Sequence, residues 1–179
     1  MEIIDFSLKG LKLIKPRRFK DDRGFFQQTY QREQYVEAGI EAPFVQDNWS
    51  RSSRGVLRGL HYQYEHCQAK LVSVNHGEVF DVVVDLRKAS PTFGKWAGMI
   101  LSGKNGHQLF VPKGFAHGFL VLSDTVDFMY KCDDVYTPGD EYGVIWNDPT
   151  LGIEWPLEVD PIISEKDAAL PFLEDAQTF

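Results

Sequence analysis

A chain of 179 residues with a net charge of −7 has the length of one domain and the wrong sign for broad binding to nucleic acid or an anionic membrane. An anionic small ligand would need a local cluster of arginine and lysine. Two cysteines, Cys67 and Cys132, make no disulfide framework, and neither a signal-peptide core nor an apolar run approaching the roughly 20 residues of a membrane span is found, so a cytosolic protein is expected.

In chain order the pattern is one of short strands divided by turns. Residues 11–15 (LKLIK) and 24–30 (GFFQQTY) read as strands, the second beginning at an Asp22-Arg23-Gly24 turn. Residues 31–38 (QREQYVEA), with Gly39 as a stop, predict two turns of helix. Strands follow at 44–50 (FVQDNWS), 56–63 (VLRGLHYQ) and 70–75 (KLVSVN). At 79–86 (VFDVVVDL) the alternation puts Phe80, Val82, Val84 and Leu86 on one face, and Val79, Asp81, Val83 and Asp85 on the other. Further strands are read at 95–102, 107–112, 117–123, 126–132 and 142–146, with glycine- and proline-marked turns between them. Residues 164–170 (SEKDAAL) predict a short helix, in which Ser164 and Asp167 have capping-box spacing and Pro171 is the stop. Many short strands predict a sandwich or barrel: one all-β domain over residues 1–179 with a short helical C-terminal tail.

Two spacings carry chemistry. Gly106, Pro112, Gly114 and His117 resemble the second motif of the cupin superfamily, glycine-x5-proline-x-glycine-x2-histidine. Gly55 and His61 resemble the start of the first motif, but Gln63 replaces its second histidine and Lys70 its glutamate, ahead of Gly77. A cupin metal needs imidazoles and a carboxylate converging on one cation. Trading those ligands for an amide and an ammonium predicts no metal, with Lys70 supplying the positive charge itself. His66, in the loop EHCQ, reads as a surface residue. Taken alone, His61 reads as a buried histidine satisfied by one hydrogen bond. Beside Arg58, Lys70 and His117 it suits removal of a proton from a carbon acid.

The segments DDRGFF, FVQDNWS, VLRGLHYQ, KLVSVNHGEVFDVVVDLRKASPTFGKW, LFVPKGFAHGF, YKCDDVY, WNDPTLGIEWP and SEKDAALP, in order from Asp21 to Pro171, resemble the dTDP-4-dehydrorhamnose 3,5-epimerase family. The resemblance implies a cupin-type jelly roll that forms a homodimer, with an N-terminal segment reaching the neighbouring subunit's site, and no metal or organic cofactor. The implied reaction inverts C3 and C5 of dTDP-4-dehydro-6-deoxy-D-glucose to give dTDP-4-dehydro-L-rhamnose, on the route to dTDP-L-rhamnose for surface polysaccharide. Both carbons flank the C4 ketone, so either lost proton leaves an enolate. The chemistry needs a base on one face, an acid on the other and a cation at the oxygen.

By the same resemblance His61 is the base, Asp167 the carboxylate that orients it, Lys70 the cation at the enolate oxygen and Tyr130 the acid. Arg23 and Arg58 correspond to phosphate-binding arginines, Gln46, Asp47 and Asn48 to a polar ligand-contacting triplet, and His117 to a contact near the sugar. Tyr136 corresponds to the aromatic that stacks on thymine, and Glu141 and Lys166 to further binding positions. Structural alternatives stand beside these roles: Asp167 completing the Ser164 capping box, Tyr130 as a core tyrosine, Lys70 as an exposed strand lysine, Arg23 as a turn residue and Asp47 with its carboxylate turned away. Gln28 stands where many members have glutamate, Val135 where an aromatic is common and Trp49 where histidine is common. Relatives that invert only C3 or only C5 share most of these residues. A metal-dependent cupin enzyme and a non-catalytic sugar-nucleotide binder are the rival classes.

Overall fold

The computed structural model describes residues 1–179. Strands β1 (Glu2–Asp5), β2 (Lys12–Lys15), β3 (Arg18–Asp21) and β4 (Gly24–Gln27) precede helix α1 (Arg32–Glu37). There follow β5 (Gln46–Ser53), β6 (Leu57–Gln63), β7 (Lys70–His76), β8 (Glu78–Asp85), β9 (Trp96–Ser102), β10 (Gln108–Val111), β11 (Phe115–Val121), β12 (Thr125–Cys132) and β13 (Glu141–Gly143). Helix α2 (Glu165–Ala168) is the last element. No helix is long and apolar enough to cross a membrane.

The strands form a six-stranded sheet in the order β1-β2-β10-β7-β12-β5 and a five-stranded sheet in the order β13-β6-β11-β8-β9; β3 and β4 make a separate hairpin. Every strand pairing is antiparallel. The expected all-β jelly roll is therefore the observed architecture, with strands close in sequence shared between facing sheets.

The main core lies between the sheets. Val72, Val74, Val126 and Phe128 of the six-stranded sheet meet Val79, Val83, Phe119 and Val121 of the five-stranded one. Removing each such side chain from water contributes about 1.5–3 kcal/mol. The outer face of the five-stranded sheet is covered too: Leu60, Val82, Val84 and Ala116 pack under Leu151 and Leu173, with Trp155 and Phe179 at the margin. This explains why both faces of β8 are apolar apart from Glu78 at its start and its two aspartates. Asp85 takes hydrogen bonds from Arg87, Ser90 and Thr92. Burial pushes its carboxyl up, and those bonds outweigh it and hold the carboxyl at about 2.

Five elements differ from the sequence reading. Strands β1 and β3 were not expected; the first is short and largely exposed, and takes its register from β2. Strand β4 stops at Gln27, short of residue 30, because the Thr29 carbonyl accepts from Tyr35 Oη and Gln108 Nε2 instead of from β3. Strand β13 ends at Gly143, where Ile145 N turns to donate to the Pro171 carbonyl of the tail. Helix α2 keeps one turn of the seven residues read as helical.

One glycine fixes the geometry of the functional strand. Gly59 on β6 has φ +120°, and a Cβ there would stand 2.6 Å from the Gly118 Cα of β11. The register of the two strands shifts at this contact, leaving His61 and His117 as cross-strand partners.

Candidate active site

A cleft opens between the two sheets at the end where β6, β7, β12 and β5 converge. Gln46, Asn48, His61, Gln63, Gln68, Lys70, Tyr130, Tyr136 and Glu141 are among its lining residues, around a volume of about 150 Å³. Strand alternation puts them there. On β6, Leu60 and Tyr62 pack outward into the tail cluster, so His61 and Gln63 face inward. On β7, Lys70 shares its face with the core residues Val72 and Val74; on β12, Tyr130 shares its face with Val126 and Phe128. On β5, Gln46 and Asn48 face the cleft while Asp47 points away and pairs with Lys131 at 2.8 Å.

His61 and Tyr130 thus stand on different sheets. His61 Nε2 lies 2.9 Å from Asp167 Oδ1, and the other carboxylate oxygen accepts the Gly59 N–H at 3.0 Å. Asp167 is 4% exposed, whereas the His61 side chain keeps 40% of its surface open to the cleft. Burial pushes the Asp167 carboxyl up, but the His61 ring, the Gly59 N–H and the Ser164 hydroxyl outweigh it and hold it at about 2. A permanently ionised acceptor on Nε2 favours the tautomer with the proton there, which leaves Nδ1 as proton acceptor.

The capping alternative for Asp167 is half realised. Ser164 Oγ accepts the Asp167 N–H at 3.1 Å, so the serine caps α2, while the Asp167 carboxylate turns to β6.

Lys70 makes no ion pair with a carboxylate, and its Nζ lies 5.9 Å from the centre of the Tyr130 ring. Burial lowers its pKa, opposed by Cys132, Cys67, Asp81 and Glu141. Burial raises that of Tyr130, with Cys132 and Glu141 adding to it and Arg58 opposing, so the phenol stays protonated at neutral pH. At the cupin ligand positions the cleft therefore holds the Lys70 amine and, at residue 63, an amide whose donors go to the carbonyls of His66 and Val135.

The remaining expected residues divide into two groups. Glu141 accepts from Tyr136 Oη and from Lys166 Nζ, which keeps its carboxyl low. His117 is buried beside the cleft strand with its Nε2 3.0 Å from Asp81, and exposed Arg58 donates Nε to Ser52 Oγ at 3.1 Å. These join the His61 cluster. Arg23 and Gln28 do not: Arg23 sits at the exposed tip of the β3–β4 hairpin, paired with Asp21, and Gln28 lies against Met1, Pro16, Arg17 and Tyr35. The β3–β4 hairpin pairs with neither sheet, and Arg18 and Gln27 tie it to the carbonyls of Gly103, Lys104 and Gly106. Sequence reasoning missed Asp81 as the partner of His117, though an acid between Val79 and Val83 on a buried face was its signal. It also missed Gln68, which carries no pattern of its own.

A sequence model of the family described as dTDP-4-dehydrorhamnose 3,5-epimerase matches residues 5–175. The chain is 56% identical over 169 residues to a dTDP-4-dehydrorhamnose 3,5-epimerase of Neisseria gonorrhoeae, covering 94% of this chain but only about half, 52%, of that protein. It is 51% identical to the enzyme of that name from Pseudomonas aeruginosa, covering 100% of this chain and 99% of the relative. Among solved structures, a dTDP-6-deoxy-D-glucose-3,5-epimerase from Legionella pneumophila in complex with dTDP-4-keto-L-rhamnose superposes with a TM-score of 0.95 at 54% identity, covering 97% of this chain and 93% of the other. By the family match, the identities and the shared fold, this chain belongs to the dTDP-4-dehydrorhamnose 3,5-epimerase family.

Proposed function

We propose that this chain is an epimerase that inverts C3 and C5 of dTDP-4-dehydro-6-deoxy-D-glucose, giving dTDP-4-dehydro-L-rhamnose. The observation that carries the reading is the placement of His61 and Tyr130 on opposite sheets with Lys70 in the same cleft. Inversion needs a proton to leave one face of a carbon and another to arrive on the opposite face. In this reading His61 takes the proton α to the C4 ketone, and Asp167 stabilises the imidazolium. The electron pair of the broken C–H bond moves onto the C4 oxygen, where Lys70 meets the negative charge. Collapse of the enolate takes a proton from Tyr130 on the other face. Both groups then return to their starting states by exchange with solvent, and the cycle repeats at the second carbon.

Arg58 is assigned to phosphate, Asn48 and His117 to the sugar side, and Tyr136 to stacking on the base, its phenol held by Glu141, which also accepts from Lys166. The enzyme works as a homodimer in this reading. Phe19, Phe25 and Phe26 of the β3–β4 hairpin are exposed, Phe26 by 70%, and this apolar surface with Arg23 at its tip suits a hairpin that reaches the neighbouring subunit. Free Cys67 and Cys132 accord with a cytoplasmic setting.

The test is a time course in deuterated water followed by NMR of each sugar carbon. Deuterium entering both C3 and C5 with inversion supports the double epimerase. Entry at one carbon alone makes the chain a single epimerase, and binding without exchange makes it a sugar-nucleotide binder.

A further inference from the structure

The segment from Asp134 to Thr137, which carries Tyr136, has an unusual set of partners. Its backbone groups are met by three glutamine side chains. Gln68 Nε2 donates to the Asp134 carbonyl at 2.8 Å. Gln46 Oε1 accepts the Tyr136 N–H at 2.8 Å, while its Nε2 donates to Asn48 Oδ1 at 3.0 Å. Gln63 Oε1 accepts the Thr137 N–H at 2.9 Å, and its Nε2 donates to the His66 carbonyl at 3.0 Å and, at the 3.5 Å limit, to the Val135 carbonyl. The glutamines come from β5, β6 and the β6–β7 loop, and all three line the cleft.

Gln63 is the centre of this arrangement. It is 4% exposed, on the same face of β6 as His61, and both ends of its amide are used. Only a side chain with a donor and an acceptor in one plane serves carbonyls on one side and an N–H on the other. A carboxylate there would set an oxygen against two carbonyl oxygens, leaving buried acceptors without donors. Tyr136, by contrast, is 47% exposed, packs on no other ring, and is fixed by its own N–H to Gln46 and its phenol to Glu141. An exposed ring held at both ends is a preformed stacking surface, ordered before the ligand arrives.

We infer that Gln63 is a positioning residue for nucleotide recognition: with Gln46 and Gln68 it forms an amide cradle that holds the 134–137 segment, and so the Tyr136 ring, at the mouth of the cleft. The residue at the cupin ligand position has become part of the base-binding apparatus. The inference rests on the epimerase reading, in which Tyr136 meets the base.

The experiment measures dTDP binding by titration calorimetry and turnover of the sugar nucleotide, for the wild type, Gln63→Glu, Tyr136→Ala and the double variant. Gln63→Glu is expected to weaken dTDP binding about fivefold or more at pH 8 and to raise KM in step, with a far smaller change in kcat. The loss relative to wild type shrinks at pH 5.5, where a protonated carboxyl again offers one donor and one acceptor. It also disappears in the Tyr136→Ala background, because the ring it positions is gone. Wild-type affinity in Gln63→Glu, or an undiminished loss without Tyr136, overturns the inference. If Gln63→Glu does not fold, Gln68→Leu, at a half-buried position, carries the same test, and unchanged dTDP affinity there counts against the cradle. Wild-type protein that neither binds dTDP nor exchanges protons would overturn the epimerase reading instead, so the two failures are distinct.

Discussion

His61 Nε2 and Asp167 Oδ1 meet at 2.9 Å across 106 residues of chain, joining the middle of a sheet to a one-turn helix in the tail. The carboxylate is fixed by Gly59 N–H on one oxygen, so it orients the ring and does not compete for its proton. Asp167→Asn is expected to lower kcat about 10³-fold with little change in dTDP affinity, since it removes the imidazolium's counter-charge and the preferred tautomer. Steady-state kinetics beside calorimetry checks this; a loss confined to KM would contradict it.

Tyr130→Phe keeps the ring that packs on β12 and removes only the phenol proton. Epimerisation is expected to fall by about 10²–10³-fold, while His61 still exchanges the substrate's own α-proton. Deuterium should then enter without inversion. NMR of recovered substrate detects that label, and its absence would mean the base depends on Tyr130.

Lys70 has no carboxylate partner and sits in a site dry enough to lower its pKa. Lys70→Met is expected to reduce kcat about 10²-fold or more and KM only slightly, because charge on the C4 oxygen develops in the transition state. Weakened binding with unchanged turnover would assign the lysine to ground-state contacts.

The Asp167 carboxyl is held at about 2, below the 3.8 of a free aspartate. A depressed folded-state pKa contributes stability that is fully present above the unfolded value and is lost as pH falls through the folded one. About 2 kcal/mol should therefore disappear between roughly pH 4 and pH 2. Urea midpoints at pH 6 and pH 2.5 should fall less steeply in Asp167→Asn than in wild type.

Gly59→Ala places a methyl 2.6 Å from the Gly118 Cα at φ +120°. The strands must part, at a cost of about 3 kcal/mol, or ~10 °C in Tm. Activity should fall by more than stability accounts for, since His61 is two residues away. Thermal melts and kcat on the same preparation separate the two effects.

The strands were legible because alternation is local: VFDVVVDL and VDFMYKC each announce a face, and the faces met as expected. His61, Lys70, Tyr130 and Asp167 were legible as a set only through the family resemblance, and the structure brings three of them to one cleft with Asp167 behind His61. What could not be read was which groups saturate one another. Nothing near Gln63 in sequence says that its amide ends on Thr137 and His66, and Asp81 looked like one of two alternating acids until β11 brought His117 to it. The β3–β4 hairpin was legible in part, since DDRGFF carries its turn chemistry plainly but not the direction in which the hairpin leaves the sheets.

The carboxylate that meets His61 lies beyond the last strand of either sheet. On a growing chain, every strand is made before residue 167 emerges, so the jelly roll can close around an unoriented histidine. The tail's Leu151, Leu173 and Phe179 then dock on the outer face of β6, β8 and β11 and bring Asp167 with them. Maturation of the enzyme is thereby tied to its final packing step. Removing the residues after 163 would leave every strand in the chain and take away the carboxylate that meets His61.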